Sequence, residues 1–113
     1  MTRNTRAAKF KTTSRKPSLI LKRALALLGP TGKHWGKGMD HQRVKVQGRE
    51  VEKWCARGAI CAITGYTHTG ALDYLADTSR HGTITEQNDN ARAFPSIQKW
   101  FRKAIARAVK DGR

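Results

Sequence analysis

Acid is what this chain has least of: eight Asp and Glu stand against 23 Lys and Arg, a formal net charge of +15 over 113 residues. Such an imbalance repels itself in the folded monomer and concentrates polyanions at the surface. Nucleic acid is the commonest partner of a chain like this. Long apolar runs are missing too. The longest, "LILKRALALL", is broken by Lys22 and Arg23, which excludes a membrane span. The basic N-terminus is followed by no uninterrupted apolar segment and no small-residue cleavage site, so it does not read as a secretory signal. "MTRNTRAAKFKTTSRK" matches a mitochondrial transit sequence in composition, but a nucleic-acid-binding arm accounts for it better. Cysteine is limited to Cys55 and Cys61. Six apart on one helix, they would diverge too far for a disulfide, and they read as reduced, buried thiols of a cytosolic protein.

What is present is unevenly spread. Residues 1–23 carry eight basic groups and no acid, residues 96–113 carry six basic groups and one acid, and residues 58–95 are near neutral. The first sixteen residues lack apolar periodicity, with Phe10 their one bulky apolar group, and are expected to be disordered when unbound. After Pro17, Ser18 is placed to cap a helix over "SLILKRALALL", which lines up Ile20, Leu21, Ala24, Leu25, Leu27 and Leu28 and stops at Gly29-Pro30.

"GPTGKHWGKG", residues 29–38, raises the question of a phosphate-cradling loop. A P-loop needs four residues between its first glycine and Gly-Lys, then Ser or Thr, between a strand and a helix. Here two residues separate Gly29 from Gly32, His34 follows Lys33, and the helix comes before. It reads as a turn, with Trp35 packed on the core. "MDHQRVKVQG" alternates briefly around Val44 and Val46, an extended piece too short to imply a sheet. From Arg49, "REVEKWCARGAICAIT" places Val51, Trp54, Cys55, Gly58 and Ala62 at helical spacing, the expected second helix. Gly58 inside it suggests that a neighbouring backbone or ring packs closely there. A short third helix is expected from about Gly70 to Thr78, then an ordered loop over 79–93. The last helix starts at Pro95 and sets Ile97, Trp100, Phe101, Ala104, Ile105 and Ala108 against a face of Lys99, Arg102, Lys103, Arg107 and Lys110.

Catalytic and metal chemistry finds little support. His34, His41, His68, His81 and the two cysteines show no finger-like spacing. Both cysteines are expected inside a helix among apolar neighbours, unlike activated thiols. Asp73 and Asp77, four apart, read as a solvated edge rather than a Mg²⁺ pair. Asn88, Asp89 and Asn90 read as a turn fastening the loop to the final helix. An enzyme would need a cleft uniting Asp89 with a histidine. No metal and no cofactor is assigned.

"GPTGKHWGKG", "EKWCARGAICAI" and "NDNARAFPSIQKWFRKAIARA" together resemble a family of small bacterial and bacteriophage domains of unknown function. The resemblance spans roughly residues 18–109. It implies a compact helical fold, a phage or prophage setting, and Trp35, Trp54, Cys55, Gly58, Ala59, Asn88 and Asp89 as the positions that define the domain; with the reduced cysteines, the expected localisation is the cytoplasm of a bacterial host cell. It supplies no activity.

The expected fold is therefore all-α: a compact bundle of about four helices over residues 18–113 behind a disordered basic arm, residues 1–17. Its core is expected to contain Leu25, Leu28, Trp54, Cys55, Cys61, Ile97, Phe101 and Ile105. The expected function is non-enzymatic nucleic-acid binding, to DNA or RNA. Arg3, Arg6, Lys9, Lys11, Arg15 and Lys16 of the arm, Lys33 and Lys37 of the turn, and Lys99, Arg102, Lys103, Arg107 and Lys110 of the last helix would contact phosphates. The rival is a phage effector docking its basic helix on an acidic host protein surface.

Overall fold

A computed structural model describes residues 6–113. Helix α1, Pro17–Leu28, runs through the centre of the molecule, with α2, Ala56–Thr64, and α5, Phe94–Lys110, packed along it and α3, Ala71–Asp77, closing one side. Ile20, Leu21, Ala24, Leu27 and Leu28 lose all exposure, together with Leu75, Phe101 and Ala104. Burial of a large apolar side chain stabilises by roughly 1.5–3 kcal/mol, which suffices to hold α1 without a capping side chain. Its N-cap is Lys16, which makes no side-chain cap bond, and Pro17 opens the helix. Ser18, expected as the cap, is buried in the first turn instead. Leu25 and Ile105, expected in the core, lie partly buried at its edge.

The all-α expectation is overturned. Five α-helices share the described residues with a two-stranded antiparallel sheet, β1 His41–Val46 and β2 Arg49–Trp54, so the fold is α+β. The register pairs His41 with Trp54 and Val44 with Val51 across a two-residue turn, Gln47-Gly48, in which both residues have positive φ. That geometry matches the twist of a tight hairpin. An isolated hairpin is marginal in water, and the chain around it supplies the rest. Trp54 N donates to His34 O at 2.7 Å, Gly36 N to Trp54 O at 2.9 Å, and Arg6 N to the Glu52 carboxylate at 3.2 Å. The second helix is shortened accordingly. It begins at Ala56, and Cys55 is its N-cap rather than an interior residue.

The loop expected over 79–93 contains a further helix, α4, Ile84–Asn90, started by a reciprocal capping box between Thr83 and Glu86. The disordered arm is also corrected over residues 6–16. Arg6–Lys9 form a 3-10 turn whose Ala7 is buried, Phe10 packs against the core, and Thr12 N donates to Ile63 O at 3.0 Å. Two arginines fasten this segment. Arg6 donates to the Leu27 and Ala26 carbonyls at the last turn of α1, where Ala26 O also accepts from Gly29 N, and Arg23 donates to Phe10 O.

Candidate nucleic-acid interface

Helix α5 presents its apolar stripe, Ile97, Phe101, Ala104 and Ala108, to α1, which leaves its long basic side chains outside. At about 100° per residue, Lys99, Lys103, Arg107 and Lys110 form one row on the α3 flank, where Arg107 donates to the Asp77 carbonyl at 3.5 Å. Arg102 stands about 100° round from Lys103, on the flank where Gln98 reaches the Pro30 carbonyl. The five cations expected on a single face thus divide four to one. Lys99, Arg102, Lys103 and Lys110 are all exposed, and none is ion-paired to a carboxylate among the described residues.

The other expected cations fall into separate places. Arg3 lies outside the described residues. The Arg6 guanidinium is engaged by the α1 carbonyls, and burial lowers its pKa. Lys9 and Lys11 are exposed on the segment that packs against α2. Lys33 and Lys37 sit exposed on the 29–38 turn, Lys37 with its ammonium 5.6 Å from the Trp35 ring. Arg15 and Lys16 end the basic segment at the start of α1, and here the two basic ends of the chain meet. Ser18 N donates to the main-chain oxygen of Arg113 at 3.2 Å, and Arg15 donates to His68 O at 3.0 Å. The chain reaches this point because Gly112 turns it back after α5, with Arg113 N bonded to Ala108 O.

Two basic residues next to the α5 row were not anticipated. Arg80 and His81, in the turn after α3, line the same cavity as Lys99 and Lys103. The sequence carries a signal for the turn itself, though not for its meeting with α5: Thr83 with Glu86 three residues on is a helix-start signature, and it fixes "SRHG" as the turn before a helix.

A second cluster has the opposite character. Asn88, fully buried at the end of α4, accepts from Trp35 Nε1 at 2.8 Å and Ala56 N at 3.0 Å, and donates to Gly36 O at 3.1 Å. Asp89 accepts from Gly38 N at 3.0 Å. The Asn-Asp pair therefore fastens α4 to the 29–38 turn and to the start of α2, not to the final helix. Asp40 binds the Arg57 guanidinium and lies 3.4 Å from Cys55 Sγ. Gly58 meets the Asp40 carbonyl so closely that a Cβ there would collide with backbone, which is the close approach its sequence position suggested. Cys55 caps α2, a position that lowers thiol pKa. Burial dominates, aided by Asp40, and pushes it up to about 11, while burial also raises that of Cys61. Both thiols are free. Asp73 and Asp77 are exposed on α3, and no group of three or more His, Cys, Asp or Glu among the described residues is arranged to hold a metal.

Trp35, Trp54, Cys55, Gly58, Ala59, Asn88 and Asp89, the positions named by the resemblance, all belong to the elements that join at this cluster. A family model described as "Family of unknown function (DUF6197)" matches residues 12–107. The chain belongs to this family. No curated protein and no solved structure matches it. The DUF6197 match includes Thr12, in the segment that packs beside α2, and ends at Arg107 in α5. No helix among the described residues is long and apolar enough to cross a membrane.

Proposed function

We propose that this DUF6197 protein is a non-enzymatic nucleic-acid-binding protein of phage or prophage origin. It contacts phosphates along the outer row of α5 and the basic residues at the start of α1. The observation that carries the reading is the row Lys99, Lys103, Arg107 and Lys110, free of carboxylate partners among the described residues and leading through Arg113 to Arg15 and Lys16. Unpaired cations on a rigid helix attract phosphates through counterion release, which favours affinity over sequence specificity. The phage setting rests on the family resemblance alone.

Fluorescence-anisotropy titrations with duplex DNA, single-stranded DNA and RNA test this. Four to six phosphate contacts would make affinity for duplex DNA fall roughly 100- to 1,000-fold between about 50 and 200 mM salt. Absence of binding to all three near physiological salt overturns the reading and turns attention to an acidic protein partner.

A further inference from the structure

Between the turn after α3 and the outer face of α5 lies an open cavity of about 250 Å³, lined by Arg80, His81, Lys99 and Lys103. Two of these come from the turn and two from one helix, so no local sequence rule brings the four together. Gln87 on α4 holds the turn in place. Its Oε1 accepts from Arg80 N and His81 N, each at 2.9 Å. These are main-chain bonds, which leave the Arg80 and His81 side chains available. Ser96 also lines the cavity, and Trp100, fixed by its Nε1 to Leu75 O at 3.0 Å, forms a wall. No carboxylate among the described residues lines it. The nearest acids in sequence stand outside that lining: Asp77 is exposed at the end of α3, and Glu86 accepts from Thr83 N in the capping box, a bond that lowers its pKa. Lys99 and Lys103, one helical turn apart, repel each other, and a bound anion relieves that repulsion.

We propose that this cavity seats a single phosphate group, held by Arg80, Lys99 and Lys103 with His81 and the Ser96 hydroxyl as further donors. A guanidinium fork beside two ammonium groups suits a tetrahedral oxyanion. The phosphate is one from a nucleic-acid strand. That identity rests on the function proposed above, whereas the seat itself does not, since a mononucleotide offers the same group.

The test uses the full chain with inorganic phosphate, a 5′-mononucleotide and an oligonucleotide. In ¹H–¹⁵N NMR titrations at matched ionic strength, phosphate is expected to shift the Arg80 and His81 amides and the Gln87 side-chain amide saturably, with chloride having no such effect. Arg80→Ser, and Lys99→Gln with Lys103→Gln, abolish those shifts; Arg102→Gln on the opposite flank preserves them. All these side chains are exposed, so folding is retained. For the oligonucleotide, Arg80→Ser lowers affinity several-fold and reduces the salt slope by about one. Non-saturating shifts, or shifts unchanged in the variants, overturn the seat. Oligonucleotide binding undiminished by Arg80→Ser overturns it too, while leaving the nucleic-acid reading standing. Saturable phosphate and mononucleotide shifts without oligonucleotide binding support the seat and overturn the nucleic-acid reading.

Discussion

The two polar regions of this molecule answer opposite physical demands. Around Asn88, three segments meet, α4, the 29–38 turn and the start of α2, and their polar groups find partners: indole with amide oxygen, Asp40 with Arg57, and the α2 start with Cys55 and Asn88. No buried side-chain nitrogen or oxygen among the described residues is left without a hydrogen bond. Along α5, Lys99, Lys103 and Lys110 are exposed and have no carboxylate partner among the described residues. Satisfied polar groups hold a fold together. Unsatisfied like charges weaken it slightly and leave free energy to be gained from a partner of opposite sign. The positions named by the resemblance therefore lie at a joint and not on the basic face of α5.

Variants that separate the two regions sharpen this contrast. Gly58→Ala forces a methyl group onto the Asp40 carbonyl and is expected to lower stability by about 4 kcal/mol in denaturant titration; a loss below about 1 kcal/mol would mean that the joint is pliable. Asn88→Ala strands the Trp35 indole, the Ala56 amide and the Gly36 carbonyl, with an expected loss of about 3 kcal/mol. Affinity of the remaining folded protein for oligonucleotide should be unchanged. Lys99→Gln with Lys103→Gln should do the reverse: a melting temperature that is unchanged or higher, and binding weakened about tenfold at low salt. A stability loss matching Asn88→Ala would abolish the distinction.

Smaller effects probe the joint's chemistry. Burial, the largest influence, holds His34 below the ordinary histidine pKa, and its Nδ1 lies 2.8 Å from Glu52 O. The unfolded chain then binds the proton more readily. Stability is fully present above about pH 6.5 and declines as pH falls toward the lower folded-state value. His34→Gln should flatten that part of the stability profile, and a profile identical to wild type would remove His34 as its cause. With its pKa near 11, native Cys55 should react with iodoacetamide at pH 8 on the order of a hundred-fold more slowly than a free thiol. Rapid labelling of the folded protein would show that the joint opens.

Legibility in the sequence followed the range of the forces involved. α1 and α5 announce themselves by apolar periodicity and by the Gly29-Pro30 stop, because each buries a single stripe. The hairpin was half visible. Val44 and Val46 alternate before Gln47-Gly48, but "REVEKW" contains helix formers, and Trp54, Gly58 and Ala62 sit at helical spacing beyond it. Pairing with β1 and the bridge from Trp35 to Trp54 override that local preference. The helix α4 was legible in its capping box and hidden by its polarity, since Ile84 is its one bulky apolar residue. The arm concealed its order because a few anchors, Ala7, Phe10 and Arg6, suffice where the body supplies the matching carbonyls and apolar surface.

By itself, then, the sequence determined the excess of positive charge, its concentration at both ends, the two amphipathic helices and their stop. These depend on composition and on neighbours within a few turns. Only the tertiary structure decided that residues 49–54 are a strand, that Asn88 is the buried joint of three segments, and that Arg80 and His81 share a cavity with Lys99 and Lys103. Each of those outcomes depends on groups distant in the chain satisfying one another's hydrogen bonds or sharing one space, and no local pattern encodes such a meeting.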